Sequence, residues 1–118
     1  MKPFSRSDRV GGLIQRELSN LLQKNVSDPR LEGTIITGVK MSRDLRIAKI
    51  YFTSHGGKTQ SQATAEGFKS ALGYVKRHLA DKLGLRYMPA LQFYYDESFD
   101  YGANIDKLLQ TAKKQAVK

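Results

Sequence analysis

The chain has 118 residues, 40% of them hydrophobic and 26% charged, with twenty Lys and Arg against eleven Asp and Glu, a net charge of +9 and a pI near 9.9. That length suits one domain with its own core, and the positive balance favours a polyanionic partner. No run approaches the ~18 apolar residues of a membrane span, no secretory h-region opens the chain, and the absence of cysteine excludes disulfides, thiol catalysis and cysteine zinc sites.

His55 and His78 stand apart and make poor material for a metal centre. The whole basic excess precedes residue 91. A basic helix on a membrane surface is the competing explanation, but no segment pairs a Lys/Arg-rich face with exposed large aromatics. The expectation is a soluble, cytoplasmic protein that needs no cofactor.

After a basic lead-in, Lys2 to Arg6, the chain offers Ser7 as a helix cap with Asp8 in the first turn. Val10, Leu13, Ile14, Leu18, Leu21 and Leu22 then recur at helical spacing, leaving Arg9 and Arg16 toward solvent, two turns apart. Asp28-Pro29-Arg30 ends that helix by Val26, because the residue before a proline is driven from the helical region.

Thr34 to Met41 predicts a β-strand, with Ile35, Thr37, Val39 and Met41 on one face and Ile36, Gly38 and Lys40 on the other. Ser42-Arg43-Asp44-Leu45 supplies turn chemistry. Ile47 to Ser54 then alternates Ala48, Ile50 and Phe52 against Lys49, Tyr51 and Thr53, which completes a hairpin. A loop follows at His55-Gly56-Gly57-Lys58, with Thr59 or Ser61 as the next cap.

Ala65, Phe68, Leu72, Val75, Leu79 and Leu83 form a second helical stripe, opposite Ser70, Gly73, Tyr74, Arg77 and Asp81. Gly73 interrupts it at a cost of ~1 kcal/mol relative to Ala. Either a kink or backbone kept open for a close partner accounts for that glycine, or a packing notch does. Gly84 stops the helix, Pro89 blocks a restart, and Leu91, Phe93 and Tyr95 alternate with Ala90, Gln92 and Tyr94 as a half-buried strand. Ser98 is a candidate cap for a last amphipathic stripe of Tyr101, Ile105, Leu108, Leu109 and Ala112, and residues 113–118 form a basic, frayed tail beyond a single domain of residues 1–112.

Helix, strand, strand, helix, helix, strand describes an α+β domain whose mixed three-stranded sheet has helices on one face, the order of a type II K-homology domain. Such domains clamp nucleic-acid backbone with a GXXG loop between two helices. None of the ten glycines here lies three residues from another, and Ala71-Leu72-Gly73 occupies the place of that loop.

Five separated motifs sharpen the reading: Arg9-Val10, Asp28-Pro29-Arg30, Asp44-Leu45 followed by Ala48-Lys49-Ile50-Tyr51, Ala71-Leu72-Gly73, and Leu85-Arg86 with Pro89, Leu91, Phe93 and Asp96. Over essentially its full length the chain resembles the bacterial ribosome-binding factor A family. The resemblance implies a K-homology-like fold with a kinked helix pair replacing the GXXG loop. It implies a factor that binds the small (30S) ribosomal subunit or its 16S rRNA precursor, assists late maturation of that RNA and supports growth in the cold. The short C-terminal tail is where the sequence departs most from the family.

The candidate RNA-binding residues are Arg9, Arg16, Arg30, Lys69, Ala71, Leu72, Gly73, Lys76, Arg77 and Arg86. No catalytic or metal-ligating residue is expected, and the free protein is expected to be a monomer without membrane partners. Two other classes are weighed: a metal-dependent nuclease using Asp96, Glu97 and Asp100, and a basic adaptor using Tyr51, Tyr74, Tyr87 and Tyr94 as exposed anchors, residues that a core would equally explain.

Overall fold

The structure, a computed structural model, describes residues 5–24, 28–54 and 57–98. Its elements run α1 (Arg6–Lys24), β1 (Thr34–Met41), β2 (Ile47–Ser54), α2 (Ser61–Ser70), α3 (Leu72–Leu83) and β3 (Ala90–Tyr95), with single 3-10 turns at Pro29–Leu31 and Gly57–Gln60. The expected last stripe and tail, from Tyr101 to Lys118, lie outside the described residues.

β2 is the central strand, antiparallel to β1 and parallel to β3. A parallel neighbour needs a crossover, which α2 and α3 supply. Ala48, Ile50 and Phe52 point from β2 into the core, where they meet Ile14, Leu18 and Leu21 of α1, Phe68 of α2, and Val75 and Leu79 of α3. All three helices therefore cover one side of the sheet, as expected of the α+β class.

Several local expectations shift. Ser5, two residues earlier than expected, caps α1: its Oγ accepts the Asp8 N–H at 3.2 Å, while the Asp8 carboxylate accepts the Ser5 N–H at 3.3 Å. Leu13 sits on the apolar stripe yet is 41% exposed. α2 carries no side-chain cap; Ser61 instead donates to the Lys58 carbonyl at 2.7 Å. Ala65 is exposed and Thr64 takes the buried position beside it.

The larger correction is in β1. A bulge between Ile36 and Gly38 leaves Thr37 unpaired with β2, and Ile36 is opposite Phe52 while Val39 is opposite Ile50. One extra residue reverses the alternation. Ile36 and Val39 consequently face the same core, and Ile35, expected beside Val39, is 61% exposed.

Two glycines permit close packing. A Cβ on Gly11 of α1 would lie 3.1 Å from the Val39 carbonyl oxygen, and one on Gly67 of α2 would lie 3.0 Å from the buried Leu31 side chain.

Candidate nucleic-acid interface

The junction between α2 and α3 is a single residue. Ala71 has φ −90° and ψ 3°, in the bridge region between helix and turn, and serves both helices as a cap. Its N–H donates to the Gly67 carbonyl at 3.0 Å and its carbonyl accepts the Val75 N–H at 2.9 Å. The kink expected at Gly73 therefore falls at Ala71. Gly73 lies in the first turn of α3 and has no positive φ.

Gly73 is nonetheless distinctive. It is exposed, and an added Cβ would meet no atom within 4 Å. The first turn of a helix also leaves N–H groups without intrahelical acceptors, where an anion is favoured. A phosphate can thus approach the Gly73 backbone as closely as its Cα allows.

The other side of the junction is packed into the core. The Phe68 ring stacks on Phe93 at 4.2 Å and meets Phe52 edge-on at 5.4 Å, while Val75 and Leu79 anchor the next helix. Ala71 and Leu72 are half-buried, with Ala71 packed on the core. Lys69 closes the last turn of α2 just before the junction; Gly73 and Arg77, four residues apart, share an exposed side of α3, with half-buried Lys76 alongside. These are the candidates that the fold brings together.

Arg30 is held differently. In the 3-10 turn its guanidinium pairs with Asp28 at 2.7 Å, and Asp28 also caps the Arg30 N–H at 2.9 Å. The Arg30 side-chain bonds hold the Asp28 carboxyl below the usual carboxylate range. The turn docks on α2 through Thr64, whose hydroxyl donates to the Arg30 carbonyl at 3.3 Å, and through the Gly67 notch. Arg30 thus has a local structural partner near the junction.

Arg9 and Arg16 are exposed on α1. Arg86 follows α3, whose twelve residues span about 18 Å at 1.5 Å per residue, so it lies beyond the end of that helix opposite Ala71. There it belongs to a second basic group that the sequence reading missed. Arg6, Arg46 and Arg86 line an open cavity of about 740 Å³ with Met41, Leu45 and the 78%-exposed Tyr87, and the Arg86 guanidinium lies 5.7 Å from the Tyr87 ring centre. Nothing local in the sequence links three arginines separated by forty residues each; the turn at Ser42-Leu45 and the stop at Gly84 bring them to one end of the sheet.

Of the acidic group, Asp100 lies outside the described residues, and Asp96 and Glu97 have protein partners. Asp96 accepts hydrogen bonds from Ser98 and from Thr37, which hold its pKa below the ordinary value, and Glu97 lies 3.0 Å from Lys58. Among the described residues no three His, Cys, Asp or Glu side chains are placed to hold a metal ion. No helix among them is long and apolar enough to cross a membrane.

Three helices on one face of a mixed sheet, with a basic helix junction facing outward, define an α+β domain with a cationic helix junction at its surface. The family model for ribosome-binding factor A matches residues 6–109. The chain is 54% identical over 110 residues to ribosome-binding factor A of Desulfatibacillum aliphaticivorans, spanning 93% of this chain and 89% of that protein. Among solved structures, a Thermotoga maritima protein described as a ribosome binding factor A is 30% identical with a TM-score of 0.70, over 80% of this chain and 90% of that one. The fold is shared at 21% identity and a TM-score of 0.61 with a homology model of Thermus thermophilus ribosome binding factor A as fitted into the cryo-EM map of a complex of that protein with 30S, over 74% of this chain and 91% of that one. The chain belongs to the ribosome-binding factor A family.

Proposed function

We propose that this protein is a non-enzymatic, cytoplasmic assembly factor that binds the small ribosomal subunit and its 16S rRNA precursor as a monomer and assists late maturation of that RNA, including in the cold. Family membership supports the subunit as partner, as does the relative placed with 30S. The observation that carries the contact is the α2–α3 junction. Its exposed Gly73 backbone takes the place of a GXXG loop, with Lys69, Lys76 and Arg77 around it to neutralise phosphate.

Asp96 and Glu97 already have protein partners, so the nuclease alternative draws no support from them. Sedimentation with separated ribosomal subunits tests the proposal. The protein is expected to travel with the small subunit and to leave it as salt rises; equal association with both subunits, or with neither, would refute it.

A further inference from the structure

The side of the sheet turned away from the helices carries side chains that the α2–α3 junction does not use. Strand register aligns Gly38 of β1 with Tyr51 of β2, and Tyr51 with Tyr94 of β3. The two tyrosine rings lie 5.7 Å apart at a 31° tilt. Tyr94 is 43% exposed, and its hydroxyl donates to the Gln92 side-chain oxygen at 2.8 Å, which fixes the ring's outer edge. Gly38 places no side chain beside Tyr51, and a Cβ there would meet nothing within 4 Å. The ring pair is thus open on its β1 side.

Two residues further along each strand, a step of about 7 Å, Lys40 lies opposite Lys49, with Gln92 beyond it on β3. Like charges directly opposite across an antiparallel pair repel. Both lysines are exposed, and neither has an ion-pair partner among the described residues. A bound anion would relieve that repulsion.

The combination selects a class of partner. Tyrosine is common at protein interfaces, but lysine is depleted there. The deep, narrow major groove of an RNA duplex is closed to side chains, whereas unpaired bases stack on exposed aromatic rings whatever their sequence, with cationic side chains along the backbone.

We propose that this open face is a second RNA surface, on which Tyr51 and Tyr94 stack unpaired bases of a single strand while Lys40 and Lys49 hold the adjoining phosphates. This rests on the reading that the partner is RNA, and it adds a contact on the opposite side of the sheet from the helices.

The test uses the full chain and a fluorescently labelled single-stranded oligouridylate of about ten nucleotides, within the usual span of a single-strand surface. Tyr94→Leu keeps apolar bulk without a π face and is expected to weaken binding about tenfold, the loss of one stacked base. Replacing Lys40 and Lys49 together by Gln should reduce the log–log salt slope by about 1.4, two phosphates on a single strand. The chain has six tyrosines and no tryptophan, so stacking should also quench tyrosine fluorescence, and less in Tyr94→Leu. Folded variants that bind and quench like the parent would overturn the proposal, as would a tyrosine-dependent dimer in place of RNA binding. A parent that sediments with small subunits but ignores the oligonucleotide would overturn this surface alone. A parent that binds the oligonucleotide as described but not the subunit would overturn the proposed function and leave this surface standing.

Discussion

Thr37 donates its hydroxyl to the Asp96 carboxylate across 2.7 Å, joining the bulge of edge strand β1 to the end of the other edge strand, β3. The bond passes over the end of β2, whose Phe52 carbonyl accepts the Asp96 N–H at 2.7 Å. Asp96 thus ties all three strands together, by its carboxylate to β1 and by its backbone N–H to β2, beside the sheet's last core row, Ile36, Phe52 and Tyr95. Such a clasp costs nothing in core volume and keeps the bulge in register.

Acid should open it. Hydrogen bonds from Ser98 and then Thr37 lower the Asp96 pKa in the folded protein, and Asp28 and Asp44 are lowered in the same sense by bonds from Arg30 and from Ser42. A group depressed on folding contributes stability above its unfolded value of about 3.9, and that contribution is lost as pH falls through the folded pKa. Thr37→Val should lower stability at neutral pH by about 1 kcal/mol. The gap from the parent should narrow on acidification below about pH 4. Thermal melts of both proteins over that range check this; a gap that does not change with pH would mean that the charge on Asp96 is immaterial.

Glycines 11, 67 and 73 should answer differently to alanine. At Gly11 the new methyl meets a backbone carbonyl, and at Gly67 it meets Leu31, which is 2% exposed and held in the capped turn. Overpacking of that kind costs ~1 to 3 kcal/mol, which outweighs the ~1 kcal/mol gained in helix propensity. Both variants should melt below the parent. A higher melting temperature for either would show that α1 or the Pro29–Leu31 turn yields easily.

The two basic groups should act independently. Lys69→Ala and Arg77→Ala at the junction, and Arg86→Ala at the far end of α3, should each weaken subunit binding and lower the log–log salt slope by about 0.7 to 0.9. Melting should change little, since exposed charges contribute ~0 to 1 kcal/mol to stability. Lys69→Ala and Arg86→Ala should combine additively in binding free energy, since the whole length of α3 separates them. Strong non-additivity would mean that both reach one phosphate cluster. Arg30→Ala should differ from these, lowering the melting temperature because Asp28 loses its partner.

Much of the fold is legible in the sequence. The stripes from Val10 to Leu22 and from Phe68 to Leu83, the alternation in β2 and β3, and the stop at Gly84, which has φ 58°, all mark elements found in the structure. The β1 bulge is not legible, because Ile35 and Ile36 are equally apolar and alternation alone fits either phase. Nor is the break at Ala71. Phe68, Leu72, Val75 and Leu79 keep the spacing of one continuous helix, so the only local irregularity in sequence is Gly73, two residues past the true junction. The exposure of the cations that follow the helix, Lys69 and Arg77, is legible in its periodicity. The grouping of Arg86, itself a candidate from the sequence, with Arg6 and Arg46 is not legible because distant segments meet there, and that of Lys40 with Lys49 is not because strand register pairs them.

Gly73→Ala tests the central claim most directly, with thermal melting and small-subunit affinity measured on the same sample. The added methyl has open space and a helical backbone, so the variant should be more stable by ~0.4 to 1 kcal/mol. The same methyl stands where RNA backbone is proposed to approach, so affinity for the small subunit should fall. A variant that melts higher and binds as tightly as the parent would contradict the account, since Gly73 would then be an unused notch on an ordinary helix.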